Sequence, residues 1–148
     1  MAQRFRQGKY KPINPKKYLG DVNKIEYRSS WELKCTKNFD LSSTILAWNS
    51  EEVVIPYISP KDGRYHRYFI DFLIVTLDRS KENGKKITLI EVKPKAQTLQ
   101  PKSQGKKRSR FLKEAVTWEV NKAKWDYAKK YCENKGWHFQ IMTEDDIY

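Results

Sequence analysis

Ile87-Thr-Leu-Ile-Glu-Val-Lys-Pro94 is an apolar run broken by one carboxylate and one ammonium two residues apart. Ile87, Leu89, Ile90 and Val92 favour a strand, and Asn83-Gly84 and Pro94 bound it on either side. Strand side chains alternate between faces, so Glu91 and Lys93 are expected to project together while Ile90 and Val92 go to the opposite side. Two readings follow for this octapeptide: a strand end with both charges in water, or a buried strand whose charges are paired or hold a metal.

The stretch upstream bears on that choice. Tyr65 to Leu77 is expected as a second strand, and within Phe69-Ile-Asp-Phe-Leu-Ile-Val75 the only charge is Asp71. Desolvating a carboxylate costs several kcal/mol unless something compensates. Backbone donors are one form of compensation, and a cation is another. Asp78 to Lys86 is polar and reads as the hairpin loop between the two strands. Antiparallel pairing then brings Asp71 level with Glu91, far from the turn, with Lys93 beside them.

Working outward, Tyr27 to Phe39 has the pattern of a helix opened by a capping box, with Ser29 three residues before Glu32 and apolar periodicity behind. Glu32 is therefore either a cap alone or a further acid for the cluster. A short strand is expected at Ile45–Trp48, then another from Glu51 to Ile58, whose Pro56 suits an edge or a bulge. Ser59 to Gly63 carries turn chemistry.

Lys95 to Arg110 reads as a mobile surface loop. Phe111 to Lys135 reads as the longest helix, with Phe111, Ala115, Trp118, Lys122, Trp125, Ala128 and Tyr131-Cys132 at helical intervals and Gly136 as its stop. Its aromatic stripe reads as core. Trp137 to Met142 is a last strand, where His138 is structural, and Thr143 to Tyr148 is an acidic tail or short turn. The expected class is α/β, in the order α-β-β-β-α-β.

A chain of 148 residues, 39% hydrophobic and 14% aromatic, is large enough to fold as one domain. Its formal charge of +12 points to a polyanionic partner, because lysine and arginine release the counterions condensed on phosphates. Lys95, Lys102, Lys106, Lys107, Arg108 and Arg110 are the candidate DNA contacts. Residues 1–25 hold Arg4, Arg6, Lys9, Lys11, Lys16 and Lys17 and are expected as a basic arm that lies on the domain or reaches for DNA, with 26–148 as the single domain. No run is long enough to span a bilayer, and the N-terminus has no apolar signal segment. Cys35 and Cys132 lack metal-site spacing and read as buried free thiols, which fits a reducing compartment.

Asp71 and Glu91 suit Mg²⁺, a hard cation that prefers carboxylate oxygen, with Mn²⁺ as a substitute. Lys93 is placed to orient a water or to stabilise charge on a phosphate. Glu32 can add a carboxylate.

Asp71 followed twenty positions later by Glu91-Val-Lys93 resembles the motif of the PD-(D/E)XK nuclease superfamily, and Tyr27-Arg-Ser-Ser-Trp-Glu32 resembles the helical glutamate motif of its resolvase-like and TnsA-like members. Tyr10 to Gly20, Trp48 to Glu52 with Ile55-Pro-Tyr57, and His66 to Asp71 are similar to nucleases that act at head completion in T-even-type tailed phages. Many relatives carry Pro before the aspartate, where this chain has Ile70.

The resemblance implies a restriction-endonuclease-like core, a mixed central sheet flanked by helices. It implies Asp71, Glu91 and Glu32 in the metal set together with Val92, Lys93 as the catalytic lysine, and Glu32 as accessory acid. It further implies Mg²⁺-dependent cutting of double-stranded or branched DNA with little sequence specificity, in host cytoplasm or virion, with capsid portal or neck proteins as partners. The competing reading is a non-catalytic DNA-binding or portal-plugging virion protein. Carboxylates at the centre of a phosphate-binding surface argue against it.

Overall fold

The computed structural model describes residues 7–148, so Arg4 and Arg6 of the expected arm lie outside the described residues. Strand β1 (Gly8–Lys9) pairs with β2 (Glu26–Tyr27), and helix α1 (Ser30–Leu41) follows. Next come β3 (Ile45–Ser50), β4 (Val54–Ile58), β5 (Tyr65–Phe69), β6 (Phe72–Leu77) and β7 (Lys85–Val92). Helix α2 (Arg108–Lys135), β8 (His138–Met142) and the short α3 (Glu144–Ile147) complete the chain.

The central sheet runs β3-β6-β7-β8, antiparallel except for the parallel β7–β8 pair. This mixed sheet flanked by helices is the expected class. Leu73, Val75 and Leu89 on one face pack with Trp125, Ala128 and Cys132 of α2. Phe72 and Ile90 on the other face pack with Cys35 and Phe39 of α1 and with Trp48.

Sheet alternation holds as read from β7: Glu91 follows Ile87 and Leu89 to the α2 face, while Ile90 and Val92 face α1. Ser29 caps α1, its Oγ accepting the Glu32 N–H at 3.1 Å. Helix α2 ends on Gly136 at φ 72°, the left-handed region glycine tolerates best.

Three expectations need correction. The strand expected over Tyr65–Leu77 is two strands that belong to different sheets: among the described residues β5 pairs with β4 alone, and β6 with β3 and β7. Tyr68, Ile70, Phe72 and Leu73 are all buried, so the apolar run carries no break in period to announce the bend. The partner strand bends at the same place. Pairing passes from Ser50↔Phe72 to Val54↔Phe69, which leaves residues 51–53 opposite 70–71, a bulge. Glu51 sits there at φ 55° and donates its N–H to the Asp71 carbonyl at 3.2 Å.

The basic loop is also shorter than expected. Lys95–Thr98 forms a 3₁₀ turn, and α2 begins at Arg108, where Lys106 and Arg110 both bond Glu114. Lastly, the buried positions of α2 include Asn121, Trp125, Ala128 and Cys132, whereas Lys122 is exposed.

The described part of the basic N-terminal stretch lies on the domain. Tyr10 packs against the α1-side core, and Tyr18 and Ile25 are buried in it. The anchor is Asp40, 0% exposed, whose carboxylate accepts the Tyr10 hydroxyl at 2.6 Å and the Ile13 and Asn14 amides at 2.7 and 2.9 Å. Lys17 Nζ donates to the Asp40 carbonyl at 2.9 Å. Burial alone would raise the Asp40 pKa, but these donors and the Lys17 charge outweigh it and hold the carboxyl below its ordinary value. Cys35 and Cys132 are buried and free. Among the described residues, no helix is long and apolar enough to cross a membrane.

Candidate active site

The bend that divides β5 from β6 is where the acidic side chains meet. The β6–β7 register reaches Phe72↔Ile90, so Asp71 and Glu91 fall opposite one another one step further on. Asp71 leaves the regular ladder there, and its Oδ2 accepts the Val92 N–H at 2.8 Å in place of a backbone carbonyl. Glu91 is 6% exposed. One of its oxygens accepts the Tyr68 hydroxyl at 2.8 Å, and the other lies 3.5 Å from Lys93 Nζ.

Burial raises the Asp71 pKa well above its ordinary value, and the Glu91 charge adds to the effect against the Val92 amide. In the same cluster, burial and the Glu91 charge raise the Tyr68 phenol, so that it donates a proton rather than releasing it.

Asp71, Glu91 and Lys93 line an open cleft of about 580 Å³ that also takes in Arg28, Arg67 and Phe69. An adjoining hollow shares Asp71, Glu91 and Lys93 and is completed by Trp31 and Glu32. Glu32 thus stands at the same site but back from the pair. Burial and the Glu51 charge raise its pKa.

Val92 supplies its amide to Asp71, while its side chain packs on the α1-side core. Among the described residues, no three His, Cys, Asp or Glu side chains are gathered closely enough to hold a metal ion together. The two carboxylates still suit a hard divalent cation, whose remaining positions waters and substrate phosphate would fill.

The candidate DNA contacts are dispersed. Lys95 pairs with Asp145 at 3.1 Å, while Lys106 and Arg110 bond Glu114. Lys102, Lys107 and Arg108 are exposed and form no ion pair among the described residues.

Two cleft residues escape a reading of the motif alone. Tyr68 orients Glu91 from β5. Lys124 enters from α2, its Nζ 5.5 Å from the Tyr68 ring centroid and 5.7 Å from that of Tyr57. Burial lowers the Lys124 pKa, and the Lys93 charge adds to this, against the pull of Glu91 and Asp71. Its adjacency to Trp125 on the buried stripe was the available signal, since it places Lys124 at the edge of that stripe.

An aspartate at a bent strand, with Glu-Val-Lys on its antiparallel neighbour in a mixed sheet flanked by helices, defines a PD-(D/E)XK-type nuclease. Residues 42–144 match the family described as TnsA-like endonuclease N terminal, and the chain belongs to that family. Over 144 residues it is 38% identical to the head completion nuclease of Enterobacteria phage T4, an alignment that covers 95% of this chain and 92% of that protein.

Proposed function

We propose that this protein is a Mg²⁺-dependent DNA endonuclease with little sequence specificity, acting on ends or branches of phage DNA at head completion. The observation that carries the reading is the meeting of Asp71, Glu91 and Lys93 on one sheet face, at a bend, in a chain of formal charge +12. A divalent cation held by Asp71 and Glu91 would supply Lewis acidity toward a phosphodiester and a more acidic bound water.

The chain's own groups do the positioning. The Val92 amide and the Tyr68 hydroxyl fix the two carboxylates, which then need no reorganisation when substrate arrives. Lys93 is placed to orient the attacking water or to neutralise charge building on the phosphate, and Lys124 brings a second ammonium from the opposite wall. Glu32, beside the pair, is the accessory acid.

Low specificity is what this reading expects of a cleft whose acids and lysines engage the phosphate backbone, with no dedicated base-reading element among the described residues. The T4 relative is a head completion nuclease, which supports action at that stage; capsid portal or neck proteins are the partners this reading proposes. The 1–25 stretch then serves as a basic arm, of which the described residues 7–25 lie on the 26–148 nuclease domain.

The test is cleavage of supercoiled and branched DNA with Mg²⁺ or EDTA. Wild type should cut only with the metal, and Asp71→Ala, Glu91→Ala and Lys93→Ala should each abolish cutting while DNA binding persists. Undiminished cutting by all three variants would refute the assignment.

A further inference from the structure

We propose that the outward face of the β4–β5 hairpin is a stacking platform for unpaired nucleotides beside the scissile phosphate, so that the substrate is DNA carrying a single-stranded tail or branch. The proposal rests on the nuclease reading and names its substrate class.

The hairpin has two unlike faces. Inward, Ile55, Tyr57 and Tyr68 are buried in the α2-side core. Outward, the register stacks three exposed cross-strand pairs, Val54 with Phe69, Pro56 with Arg67, and Ile58 with Tyr65. Tyr65 is 73% exposed and Phe69 46%, an unusual outlay of aromatic surface for a two-stranded sheet.

Charge and position select the occupant. No carboxylate projects from this face, and the acid at its tip, Asp62, is already engaged by His66 at 2.8 Å and by the Arg64 amide at 3.0 Å. Arg67 lies over the Phe69 ring at 5.6 Å, and both residues also line the cleft that holds Asp71, Glu91 and Lys93. The face therefore runs directly into the candidate active site. Aromatic rings interleaved with a guanidinium are the usual platform for bases whose π-faces are free.

Spacing then excludes a stacked duplex. Tyr65, Arg67 and Phe69 are alternate residues of one strand, so their backbone positions rise by roughly 7 Å, and the Arg67 guanidinium lies 5.6 Å from the Phe69 ring, both well beyond the roughly 3.4 Å separation of stacked bases. Bases set that far apart are unstacked, with room for a planar side chain between them. Such a strand is single and extended.

The experiment uses the full chain with EDTA, which prevents cutting. Fluorescence anisotropy compares a blunt duplex with the same duplex bearing a single-stranded tail, and an adenine analogue in the tail reports stacking through its emission. Wild type should bind the tailed DNA about tenfold more tightly, with a change in emission, and Tyr65→Ala should lose about tenfold on the tailed DNA alone.

Equal wild-type affinity for the two DNAs overturns the proposal, as does a Tyr65→Ala protein that binds the tail normally. Unchanged DNA affinities with an altered sedimentation coefficient would assign the face to a second copy of the chain and overturn it equally. The nuclease reading is separable from this outcome. A wild type that cuts plasmid with Mg²⁺ yet ignores tails refutes only the platform, and one that grips tails but never cuts refutes only the nuclease.

Discussion

Asp40 and Asp71 are both buried aspartates, yet their environments are opposite. Asp40 accepts three hydrogen bonds from Tyr10, Ile13 and Asn14, and its carboxyl lies below the ordinary range. Asp71 accepts the Val92 amide, faces a second carboxylate, and lies well above that range. Burial is common to both and therefore does not mark the site. The supply of donors does: where the chain satisfies an acid fully the acid is structural, and where it leaves two acids facing each other it leaves room for a cation.

The sharpest way to break this contrast is catalytic. Asp71→Asn or Glu91→Gln should lower Mg²⁺-dependent nicking by about a thousandfold or more, whereas Asp40→Asn should stay within a few-fold of wild type well below its melting temperature. Initial nicking rates on one plasmid decide it.

Stability should reverse the order. Asp40→Ala should cost about 2–4 kcal/mol through lost charged hydrogen bonds, a fall in Tm of roughly 5–12 °C. Asp71→Asn, measured in EDTA, should leave Tm unchanged or raise it.

The pH dependence of these Tm differences carries opposite signs. Asp40 has a lowered folded pKa, so its contribution is fully present above the unfolded carboxylate value of about 3.9 and is lost as pH falls through the folded value. Asp71 has a raised folded pKa, so the stability it costs is absent below the unfolded value and grows as pH rises toward the folded one. Calorimetry of both variants across acidic pH should show the Asp40 difference shrinking on acidification and the Asp71 difference growing on the way up.

Smaller effects test the supporting residues. Tyr68→Phe frees one Glu91 oxygen and Lys124→Met removes the second ammonium; each should lower the cleavage rate about tenfold with binding little changed. The smallest effect belongs to the surface. Single Ala substitutions at Lys102, Lys107 or Arg108 should weaken binding a few-fold and reduce its salt slope by about one, while Lys106, already paired with Glu114, should change it less.

Much of this arrangement was legible in the chain. Alternation in Ile87–Pro94 placed Glu91 and Lys93 on one face, and the polar stretch Asp78–Lys86 implied the antiparallel return that sets Asp71 opposite Glu91. Ser29 marked the start of α1, and Gly136 the end of α2. The bend at Asp71 was hidden because residues on both sides of it are apolar and buried.

Other features depend on contacts between distant segments. Asp40 finds its carboxylate donors 26 to 30 residues upstream, and Glu91 finds Tyr68 23 residues away. Local pattern cannot register such partners. Lys124 was missed for a question of phase, since the helical stripe was drawn through Lys122, two positions from the side chain that enters the cleft.

The three-against-two mismatch at residues 51–53 and 70–71 makes chain length matter unequally along the hairpin. Removing one of residues 51–53 would equalise the two strands and close the bulge, keeping the β4–β5 register but straightening the corner at which Asp71 leaves the ladder. The same deletion at the Lys61–Gly63 tip would disturb the Asp62 contacts to His66 and the Arg64 amide and the left-handed turn at Gly63, at the far end of the hairpin from the acids. The corner is thus a hinge pin that sets the aromatic ladder and the paired acids along one cleft.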